Sequence, residues 1–256
     1  MNHQLMVVLA AAASLAAADL PYAGKWKINL AKCDFGETTI TIAQTGSGQM
    51  QYTADGMSYT FRIDGKDYSS LFGRTDAWKQ IDKSTWEISS KLNGKVLGTT
   101  TRKLSSDGAT LTENSKGPKP AGGSFDVTTV FQRGSGGPGL PGKWKTKNVK
   151  SSSPDILEFA ASGPDGLTLR SVDYQATCDA RFDGKDYPLT GGPSVPAGLT
   201  FAIQKTGPRS IEMTQKQNGK ALYKSTFTVS ADGKTLTEAG GALGVSEKYT
   251  AVYERQ

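Results

Sequence analysis

Apolar and polar residues alternate along much of the chain, and Asp-Gly or Asn-Gly pairs interrupt the alternation at short intervals. Tyr59, Phe61 and Ile63 occupy every second position, and the same spacing holds from Phe125 to Phe131. A period of two is typical of a β-strand with one buried face, and an Asp-Gly or Asn-Gly pair between two such runs predicts a tight hairpin. Because no segment has a sustained helical stripe, the pattern predicts an all-β protein.

The chain also contains an internal repeat, because a series of motifs recurs in the same order in both halves. Gly24–Lys27 recurs as Gly142–Lys145, Asp64–Tyr68 as Asp183–Tyr187, Leu111–Glu113 as Leu236–Glu238, and Val130–Arg133 corresponds to Val252–Arg255. The Gly- and Pro-rich segment 134–141 between the copies has the composition of a flexible linker. We therefore expect two tandem domains, residues 19–133 and 142–256. Each is predicted to be an up-and-down antiparallel β-barrel of about eight strands that folds on its own.

The first residues have the features of a secretory signal peptide. Residues 1–18 contain no Lys, Arg, Asp or Glu, carry the apolar run Leu5–Leu15 and end in three alanines. This pattern predicts cleavage near Ala18 and a periplasmic or extracellular protein. The apolar run is too short to cross a bilayer, so we expect no membrane insertion. A monomer is expected.

Composition excludes several classes of function. Removal of the signal peptide would take away His3, which is the single histidine of the chain, and with it Ser-His-Asp or Cys-His catalysis and histidine-ligated metal centres. The net charge of +6 is dispersed rather than clustered with aromatic residues, which argues against nucleic-acid binding. We predict no catalytic residue, metal or cofactor. An enzyme would be limited to carboxylate or tyrosine chemistry.

The start and end of each copy resemble the calycins, the superfamily of lipocalins, fatty-acid-binding proteins and avidins. Each copy begins with Gly-Lys-Trp, at Trp26 and Trp144, and ends its last predicted strand in an arginine, Arg133 or Arg255. With its Asp-Gly-Lys-Asp-Tyr motifs, the chain is similar to lipocalin-like secreted proteins of soil bacteria. The resemblance implies that the tryptophan closes one end of the barrel and that the arginine packs across its ring. It pairs Trp26 with Arg133, and Trp144 with Arg255.

The resemblance places any ligand inside a barrel, where apolar side chains would form the walls. In the first copy we expect these walls to be Tyr59, Phe61, Trp86 and Phe131, which share the faces predicted to point inward. Their counterparts in the second copy are Cys178, Ala180, Ile211 and Tyr253. The favoured function is therefore non-enzymatic binding or sequestration of a small apolar molecule. The alternative is an extracellular interaction or adhesion module with barrels filled by side chains.

Paired aspartates occur in both Asp-Gly-Lys-Asp-Tyr motifs, at Asp64 and Asp67 and again at Asp183 and Asp186. Two carboxylates could serve acid–base catalysis or bind calcium. A calcium loop, however, has further carboxylates at alternate positions. Since Asp before Gly favours a tight turn by itself, we interpret these motifs as structural.

Cys33 and Cys178 fall at non-equivalent positions, one in each copy. An exported chain with two cysteines favours a disulfide between them, provided that their Cα atoms lie within about 7 Å. If Cys178 points into its barrel, it is instead a small buried apolar residue. The sequence leaves both possibilities open.

Overall fold

The computed structural model describes residues 20–36, 38–151 and 155–256. The predicted signal peptide lies outside these residues. The described chain is built from antiparallel strands and two single-turn 3-10 helices, Leu30–Lys32 and Leu71–Gly73, so the all-β prediction is confirmed. In these ranges, no helix is long and apolar enough to cross a membrane.

The strands form two sheets. The first ones in chain order are β1 (Gly24–Ile28), β2 (Thr39–Gly46), β3 (Gln49–Ala54), β4 (Met57–Phe61), β5 (Asp67–Ser69), β6 (Thr75–Gln80), β7 (Thr85–Leu92), β8 (Lys95–Leu104), β9 (Thr110–Pro118), β10 (Ser124–Ser135) and β11 (Gly142–Ser151). They are followed by β12 (Ile156–Ala161), β13 (Gly166–Ser171), β14 (Ala176–Arg181), β15 (Asp183–Pro188), β16 (Thr190–Gly191), β17 (Leu199–Gly207), β18 (Ser210–Gln217), β19 (Lys220–Val229), β20 (Thr235–Ala242) and β21 (Tyr249–Arg255).

Ten strands form the first sheet, in the order β4-β3-β2-β11-β10-β9-β8-β7-β6-β5, and residues 39–151 are called barrel one below. Eleven strands form the second, in the order β15-β17-β18-β19-β20-β21-β1-β12-β13-β14-β16, called barrel two. In each sheet the edge strands approach each other, so both barrels are nearly closed. The sheets contain more than the expected eight strands partly because β5 and β16 are too short to produce an alternating pattern.

Each barrel takes its Gly-Lys-Trp strand from the other copy. Strand β1 lies between β21 and β12 of barrel two, whereas β11 lies between β10 and β2 of barrel one. Barrel one is therefore a continuous segment, and barrel two combines the N-terminal strand with residues 156–255. The predicted division into 19–133 and 142–256 marks the sequence repeats but not the two sheets.

The segment predicted to link the copies is part of a hairpin. Gly134 and Ser135 belong to the end of β10, and the chain then turns directly into β11, which pairs with β10. A short connection makes pairing between consecutive strands entropically cheap. Because Gly24–Lys27 and Gly142–Lys145 have the same sequence, the repeat itself cannot indicate which of the two strands joins which barrel.

The exchange changes the predicted tryptophan–arginine pairs. The guanidinium carbon of Arg255 lies 4.1 Å from the ring centroid of Trp26, and that of Arg133 lies 4.0 Å from the ring centroid of Trp144. Both tryptophan side chains are completely buried, so the expected stacking is present but the pairing of Trp26 with Arg133 and of Trp144 with Arg255 was wrong. The physical reason is that strand neighbours, rather than order along the chain, decide which ring an arginine reaches.

Both arginines also donate hydrogen bonds to backbone carbonyls near their tryptophan. Arg255 donates from Nη1 to the carbonyl of Ala23 at 2.6 Å and from Nη2 to that of Pro21 at 2.8 Å. Arg133 donates from Nη2 to the carbonyl of Gly139 at 2.7 Å and from Nε to that of Gly108 at 2.6 Å. Each guanidinium thus covers a tryptophan ring and binds carbonyls that lie outside the strands.

The aspartate motifs form hydrogen-bonded turns. The Asp64 carboxylate accepts the Lys66 amide at 3.0 Å and the Tyr68 hydroxyl at 2.9 Å, and these hydrogen bonds lower the pKa of Asp64. Asp183 makes the equivalent contacts with Lys185 and Tyr187 at 3.0 and 3.1 Å. These carboxylates therefore shape turns, as interpreted from the sequence.

Both cysteines lie in barrel two and carry free thiols. Cys178 is completely buried in the core, and Cys33 packs at the edge of the same cluster. Burial raises the pKa of the Cys178 thiol to about 11. Of the two alternatives left open by the sequence, the structure has the buried apolar thiol and not the disulfide.

Candidate functional site

Three of the four residues predicted to line an apolar pocket fill the core of barrel one instead. Phe61, Trp86 and Phe131 are each at least 95% buried and pack within one hydrophobic cluster. Tyr59 alone among the four borders a cavity. The predicted apolar pocket was therefore wrong in position and character, because large aromatic side chains at inward positions of a small barrel pack against each other.

A different cavity, of about 260 Å³, opens inside barrel one. Its aromatic wall comes from Tyr52, Tyr59 and Trp78, on β3, β4 and β6. Its polar wall comes from Asp76, Arg102 and Glu113, on β6, β8 and β9. The turn from Ser70 to Arg74 forms the rim. The strands thus bring charged groups into a space enclosed by aromatic rings.

Arg102 is the central charged group of this cavity. Its side chain is 6% exposed, and its Nε donates to Oε2 of Glu113 at 2.7 Å. The guanidinium carbon lies 5.0 Å from the ring centroid of Tyr52 and 4.9 Å from that of Trp78, so both rings provide cation–π contacts. Burial lowers the pKa of Arg102, but the Glu113 carboxylate together with Tyr52 and Tyr59 outweighs this effect and raises the pKa above its ordinary value. Arg102 therefore stays charged.

One nitrogen of this buried cation is unsatisfied. Nη1 of Arg102 is inaccessible to solvent and has no hydrogen-bond partner within residues 20–36, 38–151 and 155–256. An unpaired donor on a buried charge costs about 1–3 kcal/mol or more, so native proteins rarely retain one without a reason. Since Arg102 lines the cavity, a small shift of the side chains that cover Nη1 would expose a strong donor to a ligand atom that can accept a hydrogen bond.

The carboxylate of Asp76 is already engaged. Its Oδ2 accepts the Tyr59 hydroxyl at 2.9 Å, and its Oδ1 accepts the Ser90 hydroxyl at 2.7 Å. The indole nitrogen of Trp78 donates to the Tyr59 oxygen at 3.2 Å. Burial, followed by the charge of Asp76, raises the pKa of Tyr59 far above its ordinary value, so this hydroxyl stays protonated. The network fixes the aromatic wall in place.

The rim of the cavity contains a backbone conformation that is unusual for its residue type. Phe72 has φ of 59°, in the left-handed region that favours glycine. Its ring lies 6.4 Å from that of Tyr223 in barrel two. Next to it, Arg74 has a buried Nε without a hydrogen-bond partner in the described residues. Two arginines with unsatisfied donors therefore border one cavity.

Comparison of the two barrels indicates that the fold does not require these polar residues. In barrel one, Arg102 lies between Trp86 and Glu113 of the neighbouring strands. The equivalent residue in barrel two is Phe227, which lies between Ile211 and Glu238. By the same reasoning, three other positions are apolar in barrel two: Tyr59 corresponds to Cys178, Asp76 to Phe201, and Trp78 to Ile203. All four of these barrel-two residues are buried in its core. The buried arginine is therefore particular to barrel one, whereas the glutamate opposite it is present in both barrels, as Glu113 and Glu238.

The sequence contains evidence for this site that becomes visible when the two copies are aligned, although periodicity alone does not reveal it. The recurring Asp-Gly motifs after β8 and β19 align Arg102 with Phe227, and Arg102 alternates with Thr100 and Leu104 at inward positions. Where a charged residue of one copy aligns with a buried aromatic residue of the other, the interiors of the two barrels differ.

The described residues contain no group of three or more Cys, His, Asp or Glu side chains that could hold a metal ion. No family model matches the chain, and no curated protein matches it. Among solved structures, it is similar to a presumed outer membrane protein of Bacteroides fragilis NCTC 9343, with 14% identity over 92% of this chain and 97% of that one and a TM-score of 0.20. A likeness at this level carries no conclusion about function. The functional argument therefore rests on the geometry of barrel one.

Proposed function

We propose that the protein is an exported, non-enzymatic binding protein that holds a small molecule with an anionic, hydrogen-bond-accepting group inside barrel one. The observation that carries this proposal is the buried, unsatisfied Nη1 of Arg102 at the wall of the cavity. A carboxylate oxygen is the ligand atom that best complements a charged guanidinium in a dry site. Export to the periplasm or the extracellular space follows from the predicted signal peptide.

The proposed ligand differs from the apolar one expected from the sequence, because the cavity wall combines charge with aromatic surface. Tyr59 and Ile88 would contact the apolar part of the ligand, while Arg102 would bind its anionic group. A cavity of about 260 Å³ is at the lower end of the usual range for small-molecule sites. The favoured ligands are therefore small aromatic or branched carboxylates rather than long-chain lipids.

Binding is favoured over catalysis because the candidate acid–base groups are committed to other contacts. Asp76 accepts two hydroxyl hydrogen bonds, and Glu113 neutralises Arg102. The Tyr59 hydroxyl donates to Asp76 and has a strongly raised pKa. These groups position one another. The polar atoms of the cavity wall that remain to bind a ligand are the unsatisfied nitrogens of Arg102 and Arg74.

Calorimetric titration with two matched probe pairs tests the proposal: benzoate against benzamide, and indole-3-acetate against indole-3-acetamide. We expect saturable binding of at least one carboxylate with a micromolar to millimolar Kd, and binding at least about tenfold weaker for its amide. Arg102→Met should abolish this preference. The matched control is Arg170→Met, which removes an exposed arginine that pairs with Glu158 in barrel two and should bind like the wild type.

Native mass spectrometry of protein purified from its own host provides an independent test. A co-purifying acidic small molecule that is lost in Arg102→Met would support the proposal. Absence of any saturable binding by either carboxylate, together with a ligand-free mass, would contradict it. That result would favour the alternative of an interaction or adhesion module with no small-molecule ligand.

A further inference from the structure

A second cavity of about 250 Å³ lies at the junction of the two barrels. Barrel one contributes Leu97, Pro118 and Phe125 to its walls, and barrel two contributes Tyr174 and Ser194. We call this cavity the junction chamber. Apart from Arg74, its walls are aromatic and aliphatic with hydroxyl groups between them, so it is less charged than the interior of barrel one.

The junction chamber and the interior cavity are neighbours. Arg74, Ser90 and Thr100 line both of them, so these three side chains form a shared partition. The unsatisfied Nε of Arg74 lies in this partition. To reach the junction chamber, a molecule anchored at Arg102 must pass this partition, where Arg74 has the longest side chain of the three.

Ion pairs hold the two walls of the chamber together. The Lys119 side chain is 4% exposed, and its ammonium lies 3.0 Å from Asp173 and 3.1 Å from Asp155, both in barrel two. Lys119 directly follows Pro118 of one wall, and Asp173 directly precedes Tyr174 of the other. The Tyr223 hydroxyl also donates to Asp55 across the junction at 2.8 Å. The chamber is therefore formed before any ligand enters it, which lowers the entropic cost of binding.

Glycines fix the position of the aromatic wall in barrel one. A Cβ atom added at Gly98 would lie 2.9 Å from the Phe125 ring, and one added at Gly117 would lie 2.7 Å from it. The ring therefore packs directly on the backbone of β8 and β9. With Phe125 on one side and Tyr174 on the other, the chamber suits a second flat apolar group.

From this arrangement we propose that the ligand is an elongated aromatic carboxylate, with its acid at Arg102 and its distal ring in the junction chamber. Barrel two would thus complete a binding site whose charged end lies in barrel one. This inference rests on the proposed function. It adds the length of the ligand and a role for barrel two.

Calorimetry with the full mature chain tests the inference, with benzoate and biphenyl-4-carboxylate as probes. The second probe adds one ring to the first, opposite the acid. We expect biphenyl-4-carboxylate to bind at least about tenfold more tightly, because the added ring is removed from water in the chamber.

Two variants test whether the gain in affinity of biphenyl-4-carboxylate over benzoate arises in the junction chamber. Ser194→Trp should fill the chamber and remove the gain, while the benzoate Kd stays within about twofold of the wild type. Tyr174→Ala, which removes one wall without adding bulk, should reduce the gain as well. The matched control is Ser106→Trp, at an exposed turn after β8 in barrel one, which should leave both affinities unchanged.

The outcomes separate the two proposals. The inference would be overturned if the second ring gives no gain in affinity, or gives a gain that persists in both variants. Provided that benzoate binding still depends on Arg102, the proposed function would remain intact. Failure of both probes to bind would overturn the proposed function and this inference with it. A gain that is present in the wild type and in Ser106→Trp but lost in Ser194→Trp and reduced in Tyr174→Ala would support the inference.

Discussion

The guanidinium of Arg133, at the end of the first sequence repeat, stacks on the ring of Trp144, at the start of the second, with 4.0 Å between the guanidinium carbon and the ring centroid. The equivalent contact in barrel two joins the two ends of the described chain, because Arg255 covers Trp26 at 4.1 Å. The two contacts show how the strands are exchanged, and they explain why the repeats and the barrels have different boundaries.

A double-mutant cycle can measure this pairing. Trp26→Ala and Trp144→Ala should each lower the free energy of unfolding by about 3–5 kcal/mol, the usual cost of truncating a buried aromatic residue. Each Trp→Ala change is then combined with an Arg→Met change. The coupling energy should be about 0.5–2 kcal/mol for Trp26 with Arg255 and for Trp144 with Arg133. The control cycle of Trp26 with Arg133 should show no coupling in urea denaturation. Coupling in the control and none in the stacked pairs would contradict the exchanged arrangement.

A fragment of residues 39–151 should fold by itself. It contains β2 to β11 and therefore the complete sheet of barrel one, including the strand that carries Trp144. We expect cooperative unfolding in urea and dispersed amide resonances. Trp144→Ala in the same fragment is the matched control and should lower its stability by about 3–5 kcal/mol. A fragment without cooperative unfolding would mean that barrel one depends on barrel two.

Substitutions at Arg102 should separate stability from binding. Arg102→Met leaves the partly buried Glu113 without its cation; because breaking a fully buried pair costs about 3–5 kcal/mol, we expect a loss of stability of up to about that size. The double variant Arg102→Met/Glu113→Met should recover most of this loss, because replacing both members of a buried ion pair by apolar residues is often neutral or stabilising. Both variants should lose carboxylate binding. Thermal and urea denaturation measure the first effect and calorimetry the second, and retained binding in the double variant would exclude Arg102 as the anchor.

Buried tyrosines should make the protein unstable at alkaline pH. Burial raises the pKa of Tyr22 to about 12, while an unfolded tyrosine has a pKa of about 10. The folded state therefore retains the proton, so this contribution to stability is complete below pH 10 and is lost as the pH rises towards 12. The loss amounts to about 2.7 kcal/mol for a shift of about two units.

Urea denaturation of the wild type and of Tyr22→Phe between pH 8 and pH 12 checks this expectation. The unfolding free energy of the wild type should fall more steeply above pH 10 than that of the variant, which lacks the titrating hydroxyl. Parallel curves would show that Tyr22 titrates alike in the folded and unfolded states.

The sequence by itself determined the local features of this protein. Alternating residues identified the strands, Asp-Gly and Asn-Gly pairs identified turns, and the recurring motifs identified the repeat, because each of these signals depends only on neighbouring residues. The recurring positions of Trp26, Trp144, Arg133 and Arg255, together with the resemblance to calycins, also indicated which residues form the stacked pairs.

The tertiary structure decided which copies of these elements meet. The strands with Trp26 and Trp144 carry the same Gly-Lys-Trp-Lys motif, so only the non-local pairing of β1 with β21 and of β11 with β10 could assign them to a barrel. The sequence pattern likewise did not identify Arg102 as part of a site. It could not tell that Glu113, Tyr52 and Trp78 surround that position, because these residues come from separate strands. Whether an inward position lies in a packed core or beside a cavity depends on the volumes of side chains that are distant in the sequence.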